Sequence, residues 1–271
     1  YWRRNKMAMM RNITIGQYIP GESVIHRLDP RTKIIATFLY IVLLFLVNTF
    51  SGYACSALLI LLAVALSRLP IKYILRGIRP LAFIIILTLS LHFFMTEGHV
   101  IFQVGFLKVT QEGVVRGLMM VSRLVLLVVG TSILTLTTSP ILLTDGIESL
   151  LKPLKGLGVP AHELAMMMTI ALRFIPTLIE ETEKIMKAQM ARGADFESGN
   201  IFQRAKSLIP ILIPLFINAF RRADDLAVAM EARGYRGGEG RTRFRVLRFT
   251  YKDAVALIFV AVFVVVVSIY F

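Results

Sequence analysis

Cysteine, buried carboxylates and metal-binding spacings are what this chain has least of. A single cysteine, Cys55, sits alone in an apolar run, which excludes a disulfide framework and a cysteine metal cluster. The four histidines, His26, His92, His99 and His162, show neither HExxH nor HxH spacing, so no metal is expected. No GxxxxGK[ST] loop occurs; Lys155-Gly156-Leu157-Gly158 has the wrong spacing and reads as a turn, so no nucleotide-binding loop is expected on this chain. There is no Ser/His/Asp grouping around a nucleophile elbow, and no catalytic residue or cofactor is assigned. Asp and Glu are nearly missing from the apolar runs, which argues against a proton relay of buried carboxylates. No cleavable signal peptide is expected, because no small-residue site ends a short apolar core near the start. The six residues ahead of Met7 are set aside from fold reasoning.

What the chain does have is apolar length and positive charge. Of its 271 residues 56% are hydrophobic, and the mean hydropathy is +0.70. A soluble domain of this size would have a poorly wettable exterior. Lys and Arg number 31 against 17 Asp and Glu, a formal charge of +14. The charges are segregated from the apolar runs. That pattern favours a membrane protein with basic loops beside anionic lipid over a nucleic-acid partner.

Five segments are apolar enough to enter a bilayer, at 34–47, 53–66, 80–95, 114–137 and 254–271. A spanning helix needs about 20 mostly apolar residues, so the shorter ones extend into their flanks. Arg11, Arg27, Arg31 and Lys33 precede the first span, and Arg68, Lys72, Arg76 and Arg79 lie between the second and third. The first loop has no Lys or Arg, and the third, 96–113, has only Lys108. Short basic loops stay cytoplasmic, which places the N-terminus inside. The expectation is an all-α integral membrane protein with about five transmembrane helices and long cytoplasmic helices. It divides into a four-span region at 1–137, a cytoplasmic helical region at 138–251, and a final transmembrane helix at 252–271. Arg123 falls inside the fourth span, where a cation needs partners. Hydrogen bonds to neighbouring helix carbonyls are preferred there over a contact with a partner or a gate.

The cytoplasmic region carries the functional signal. Helices are expected over 140–154, 161–190 and 201–230, with Pro176 kinking the second. The second and third share one plan: an apolar first half, a charged second half, and then Ala-Arg-Gly. Ala191-Arg192-Gly193 and Ala232-Arg233-Gly234 lie 41 positions apart (233 − 192). Gly suits a left-handed helix end, and Arg offers a rigid fork of donors. One such ending is also what helix-dipole and capping preferences produce without any partner. Two on matched helices are harder to attribute to capping alone. At the same offset Glu180 and Glu181 fall on Arg221 and Arg222, so crossed helices could neutralise each other there.

The leading segment His26-Arg27-Leu28-Asp29-Pro30-Arg31-Thr32-Lys33, the paired Ala-Arg-Gly tripeptides and the span layout together resemble one family. It is the transmembrane T component of energy-coupling factor transporters, the ABC-type vitamin and metal-ion uptake systems of prokaryotes. The resemblance covers residues 10–271. It implies a non-enzymatic subunit of the cell membrane, with its N-terminus and coupling helices cytoplasmic. Each Ala-Arg-Gly end would dock on one of two ABC-type ATPase subunits, with Arg192 and Arg233 as anchors. The long helices would pass ATP-driven motion to a membrane-embedded substrate-binding S component. That component would rest against apolar faces around 161–175 and 209–217, a surface that ordinary packing under the spans explains equally well. The competing class is an integral membrane enzyme acting on a lipid or prenyl substrate. It would need a buried acidic or histidine cluster, and the one dense acidic group, Glu180, Glu181 and Glu183, is interleaved with lysines at helix-pair spacing.

Overall fold

A computed structural model describes residues 18–104, 107–196, 198, 200–237 and 247–271. Arg11 and the tail ahead of Met7 lie outside them. In chain order the helices are α1 (Pro30–Leu46), α2 (Phe50–Ser67), α3 (Ile71–Ile78) and, after a 3-10 turn at Arg79–Leu81, α4 (Ala82–Met95). An antiparallel hairpin follows, β1 (Val100–Val104) and β2 (Leu107–Thr110), with Val104 opposite Leu107. Then come α5 (Gln111–Thr137), α6 (Pro140–Leu151), a 3-10 segment (Lys152–Leu157), α7 (Ala161–Ala191), α8 (Ile201–Ser207), α9 (Ile209–Ala232) and α10 (Tyr251–Tyr270). The described parts of 18–150 and 247–271 form one compact unit, and those of 151–237 form another.

Local chemistry sets most of the helix starts. Asp29 caps α1 by accepting the Arg31 N–H at 2.9 Å, with Pro30 in the first turn. Thr49 and Thr110 cap α2 and α5 through the Gly52 and Gly113 N–H groups. Thr250 and Asp253 form a reciprocal capping box at the start of α10. The expected helix over 201–230 is instead broken at Leu208 into α8 and α9. Pro210 lacks the N–H that would continue the ladder and its ring crowds the preceding turn, whereas the first turn of a new helix tolerates it. Pro176 lies within the continuous α7. Much of the basic loop between the second and third spans is itself helical, with Lys72 and Arg76 on α3 and Ile74 on its buried face.

Five described helical stretches are long and apolar enough to cross a membrane: Phe50–Ser67, Ile71–Met95, Gln111–Thr137, Ala161–Ala191 and Tyr251–Tyr270. Four match expected spans. Helix α1 has 17 residues and is shorter than these, while α7, expected in the cytoplasmic region, qualifies through its apolar first half. The all-α membrane architecture is as the sequence indicates.

The core of the first unit joins α1, α2, α5 and α10 through Tyr40, Leu43, Leu44, Val47, Tyr53, Ile60, Ile133, Val264 and Val267. Small residues let these helices approach closely. A Cβ on Gly130 would lie 2.7 Å from the Tyr40 ring. Gly130→Ala is therefore expected to destabilise by about 1–3 kcal/mol through overpacking, read as a lower unfolding temperature in detergent.

Two sets of polar contacts fix which helix ends share a level. At one end the buried Lys33 ammonium donates to the carbonyls of His26 (3.2 Å) and Thr137 (3.0 Å) and to the Thr138 hydroxyl (3.3 Å). Beside it, the Asp253 carboxylate accepts the N–H groups of Asp29 (2.7 Å) and Thr250 (2.9 Å). His26 is itself held between the Ser23 hydroxyl at 2.6 Å and the Ile19 carbonyl at 3.0 Å. The starts of α1 and α10 and the end of α5 thus meet in one polar latch. At the other end the Thr49 hydroxyl donates to the Phe271 carbonyl (3.2 Å), joining the α1–α2 turn to the end of α10.

Arg123 belongs to that second level. Its Nε donates to the Tyr53 hydroxyl (2.8 Å) and its NH2 to the Val47 carbonyl (3.2 Å) and Asn48 Oδ1 (3.3 Å). From Lys33 to Val47 and from Thr137 to Arg123 is 14 residues each (47 − 33; 137 − 123), about 21 Å of helix. Arg123 is therefore level with the α1–α2 turn, and α5 runs 12 residues further to Gln111, about 18 Å. The expected carbonyl bond is present, joined by side-chain acceptors from the turn (Asn48) and from α2 (Tyr53).

Candidate functional site

In the second unit α7 and α9 pack together. The Gln189 side-chain amide donates to the Pro210 carbonyl at 3.4 Å, and Arg222 donates to Glu181 in an ion pair. Residue numbers fall along α7 as they rise along α9 between these contacts, so the two helices run in opposite senses. Glu181 and Arg222 occupy equivalent places in the 41-residue repeat (222 − 181), so like meets like across the pair. Glu180 and Arg221 are exposed, and no ion pair joins them. On α7, Lys187 reaches Glu183 at 3.8 Å.

The two tripeptides end their helices with the same hydrogen bonds. At the first, the Gly193 N–H donates to the Met190 carbonyl and the Ala194 N–H to that of Gln189. At the second, the Gly234 N–H donates to the Glu231 carbonyl and the Tyr235 N–H to that of Met230. Both are complete Schellman caps, with Gly193 at φ 89° and Gly234 at φ 71°. The arginines sit at the cap position with near-identical backbone angles, Arg192 at φ −87°, ψ 6° and Arg233 at φ −88°, ψ 7°. Ala191, Arg192, Gly193, Ala232, Arg233 and Gly234 are all exposed. Each arginine lies 11 residues beyond the Glu181–Arg222 pair (192 − 181; 233 − 222), so the repeat carries each tip about 16 Å outward along its own helix. Chemically, these are two matched, open donor forks on small-residue helix ends.

The Glu181–Arg222 pair is half-exposed, with side-chain accessibilities of 15% and 39%, so its own worth is about 1 kcal/mol or less. Glu181→Arg alone is expected to lower the unfolding temperature in detergent slightly by placing like charges together at the crossing. The exchanged pair Glu181→Arg/Arg222→Glu is expected to recover most of it. Unfolding temperatures of the single and exchanged variants read this directly, and an exchange no better than the single change would mean that the pair does not hold the two helices together.

The sequence pattern of the cobalt transport protein family, CbiQ, matches residues 21–244. A protein of Thermosediminibacter oceani named energy-coupling factor transporter transmembrane protein EcfT is 67% identical, over 92% of this chain and 94% of its own length. The chain belongs to the CbiQ/EcfT family. Two further EcfT proteins are similarly related. That of Acidaminococcus fermentans is 60% identical over 94% of this chain and 96% of its own length. That of Bacillus subtilis is 53% identical over 92% and 95%. As a CbiQ/EcfT-family chain with several apolar helices, this is a multi-pass membrane protein of the transporter class.

Sequence reasoning named the tripeptides and the Glu181–Arg222 crossing. It missed the latch of Lys33 and Asp253, whose one local signal was Thr250-x-x-Asp253. It also missed Tyr53 and Asn48 as partners of Arg123. Among the described residues no group of three or more His, Cys, Asp and Glu side chains could hold a metal ion.

Proposed function

We propose that this protein is the transmembrane coupling subunit of an energy-coupling factor transporter, linking two ATPase subunits to a separate membrane-embedded S component. The observation that carries the reading is the pair of identically capped, exposed arginines set symmetrically about one ion pair. Two equivalent docking points suit two related partners. The residues after them differ, Ala194-Asp195 against Tyr235-Arg236, which leaves room for two different ATPases. ATP hydrolysis is assigned to the partners. The apolar side chains exposed on α7 and α9, among them Met167, Leu212, Ile213 and Phe216, are the surface on which the S component would rest. The cargo is a vitamin or similar micronutrient.

Charge together with the latch supports an orientation. The end of α5 and the start of α10 lie at one level in the first unit. The chain between them therefore crosses the membrane an even number of times. Among the described residues between them only α7 is a helix long and apolar enough to cross, which supports no crossing there. With the basic flanks inside, the N-terminus and the coupling helices are cytoplasmic in a prokaryotic cell membrane.

Co-expression with candidate ABC-type ATPase subunits, followed by detergent solubilisation and co-purification, tests the proposal. Copurification that Arg192→Glu/Arg233→Glu abolishes is the expected result. Binding that ignores the changes would move the interface elsewhere, and no binding at all would favour a membrane enzyme.

A further inference from the structure

Arg123 is an uncompensated cation. Its three hydrogen bonds go to neutral acceptors, and among the described residues no carboxylate lies within ion-pair distance of it. Its guanidinium also lies 5.6 Å from the Phe45 ring centre and 5.8 Å from that of Tyr53. These contacts hold its plane but leave its charge unanswered. It borders an open cavity of about 860 Å³ formed by the α1–α2 turn, the end of α4 and the first half of α5. Asn48, Tyr53, Gln111, Glu112 and Arg116 also line the cavity.

Arg116 lies seven residues before Arg123 (123 − 116), hence on the same face of α5 two turns away, about 10 Å along the axis. Glu112 is already engaged: its carboxylate accepts the His99 N–H at 2.8 Å and precedes Arg116 by four residues. The lining therefore keeps a net positive charge with open donors. Two guanidiniums with open donors at this level attract an anionic group.

We propose that this cavity is a binding site for the phosphodiester headgroup of an anionic phospholipid. Geometry favours a lipid over a free anion. Arg123 stands level with the α1–α2 turn and the end of α10, where those helices leave the apolar layer and headgroups lie. On the apolar side of the polar lining is the exposed side chain of Phe45 on α1. Acyl chains can run down beside it while the phosphate meets Arg123 and Arg116, the bidentate geometry that suits guanidinium. The step between the long α5 and the shorter α1 and α10 makes the recess that one headgroup would fill.

The test uses the full chain in nanodiscs of phosphatidylcholine alone or with phosphatidylglycerol. Phosphatidylglycerol is expected to raise the unfolding temperature by about 5 °C, the shift for a ligand at roughly a hundred times its dissociation constant. Arg123→Lys should keep most of that rise. Arg123→Gln and Arg116→Gln should each lose at least half of it. Lys72→Gln, a change on exposed α3 surface outside the cavity, removes the same charge and should keep most of it. If Arg123→Gln does not fold, Arg116→Gln alone decides. A full rise in the Gln variants would mean general attraction of a basic protein to anionic lipid and overturn the site. An equal rise with inorganic phosphate in phosphatidylcholine discs would assign a soluble anion and overturn the lipid. None of these arms involves an ATPase, so the coupling reading stands or falls separately.

Discussion

Uptake in cells carrying Arg192→Glu/Arg233→Glu is expected to fall to the background of cells lacking the subunit, with each single change intermediate. Both side chains are exposed at helix ends, so reversing their charge removes no core contact. A glutamate at a helix C-terminus opposes the dipole by about 0.3–1 kcal/mol, too little to unfold a domain. An arginine anchoring an interface is worth at least about 2 kcal/mol, or roughly 30-fold in affinity. A carboxylate in its place adds repulsion wherever the partner groove is acidic. The tips diverge from the crossing, so their losses should add. The decisive comparison sets uptake and ATPase copurification beside the unfolding temperature of each variant. An unchanged unfolding temperature with lost copurification locates the defect at the interface. Wild-type uptake by the double variant would sink the assignment.

The local geometry of the two helix endings was legible because its signals are local. An Ala-Arg-Gly ending needs only its own helix to form a Schellman cap, and both endings do so with the same bonds. The 41-residue offset also put Glu181 beside Arg222 without knowledge of the fold, because related helices in opposite senses bring equivalent positions together. The same offset did not join Glu180 to Arg221, since adjacent helix residues point about 100° apart and only one of each pair faces the partner. The apolar runs gave four of the span-length helices directly. They did not reveal that the basic segment after α2 is helical, because α3 is amphipathic rather than uniformly apolar. Least legible were contacts between distant residues. Arg123 meets Tyr53 and Val47 across 70 and 76 positions, and Asp253 meets Asp29 across 224. No periodicity encodes such separations; in one sequence Tyr53, Asp29 and Asp253 are merely polar residues near the ends of apolar runs.

The Asp253 contact carries the second large effect, on folding rather than transport. Asp253 is 2% exposed, and its two oxygens take the N–H groups that open α1 and α10. Asp253→Ala would leave the buried Asp29 N–H unanswered, at about 1–3 kcal/mol, and would remove the cap from the more exposed Thr250 N–H, about 1 kcal/mol more. It would also remove a carboxylate whose charge, with that of Asp29, favours the buried Lys33 ammonium. Against a total stability of about 5–15 kcal/mol the variant is expected to lose most of its folded yield. Asp253→Asn keeps one acceptor oxygen and should fall between. Lys33→Met/Asp253→Asn, which removes both charges, should be less damaged than Asp253→Ala, because it keeps one acceptor at residue 253 and leaves no buried ammonium that has lost a carboxylate. Folded yield and unfolding temperature in detergent across the three variants test this order. A mild Asp253→Ala phenotype would show that the last helix is held by its apolar face alone. The severe result would mean that the His26–Lys33 segment is a structural clasp for the spans, which accounts for its pattern by folding rather than by contact with any partner.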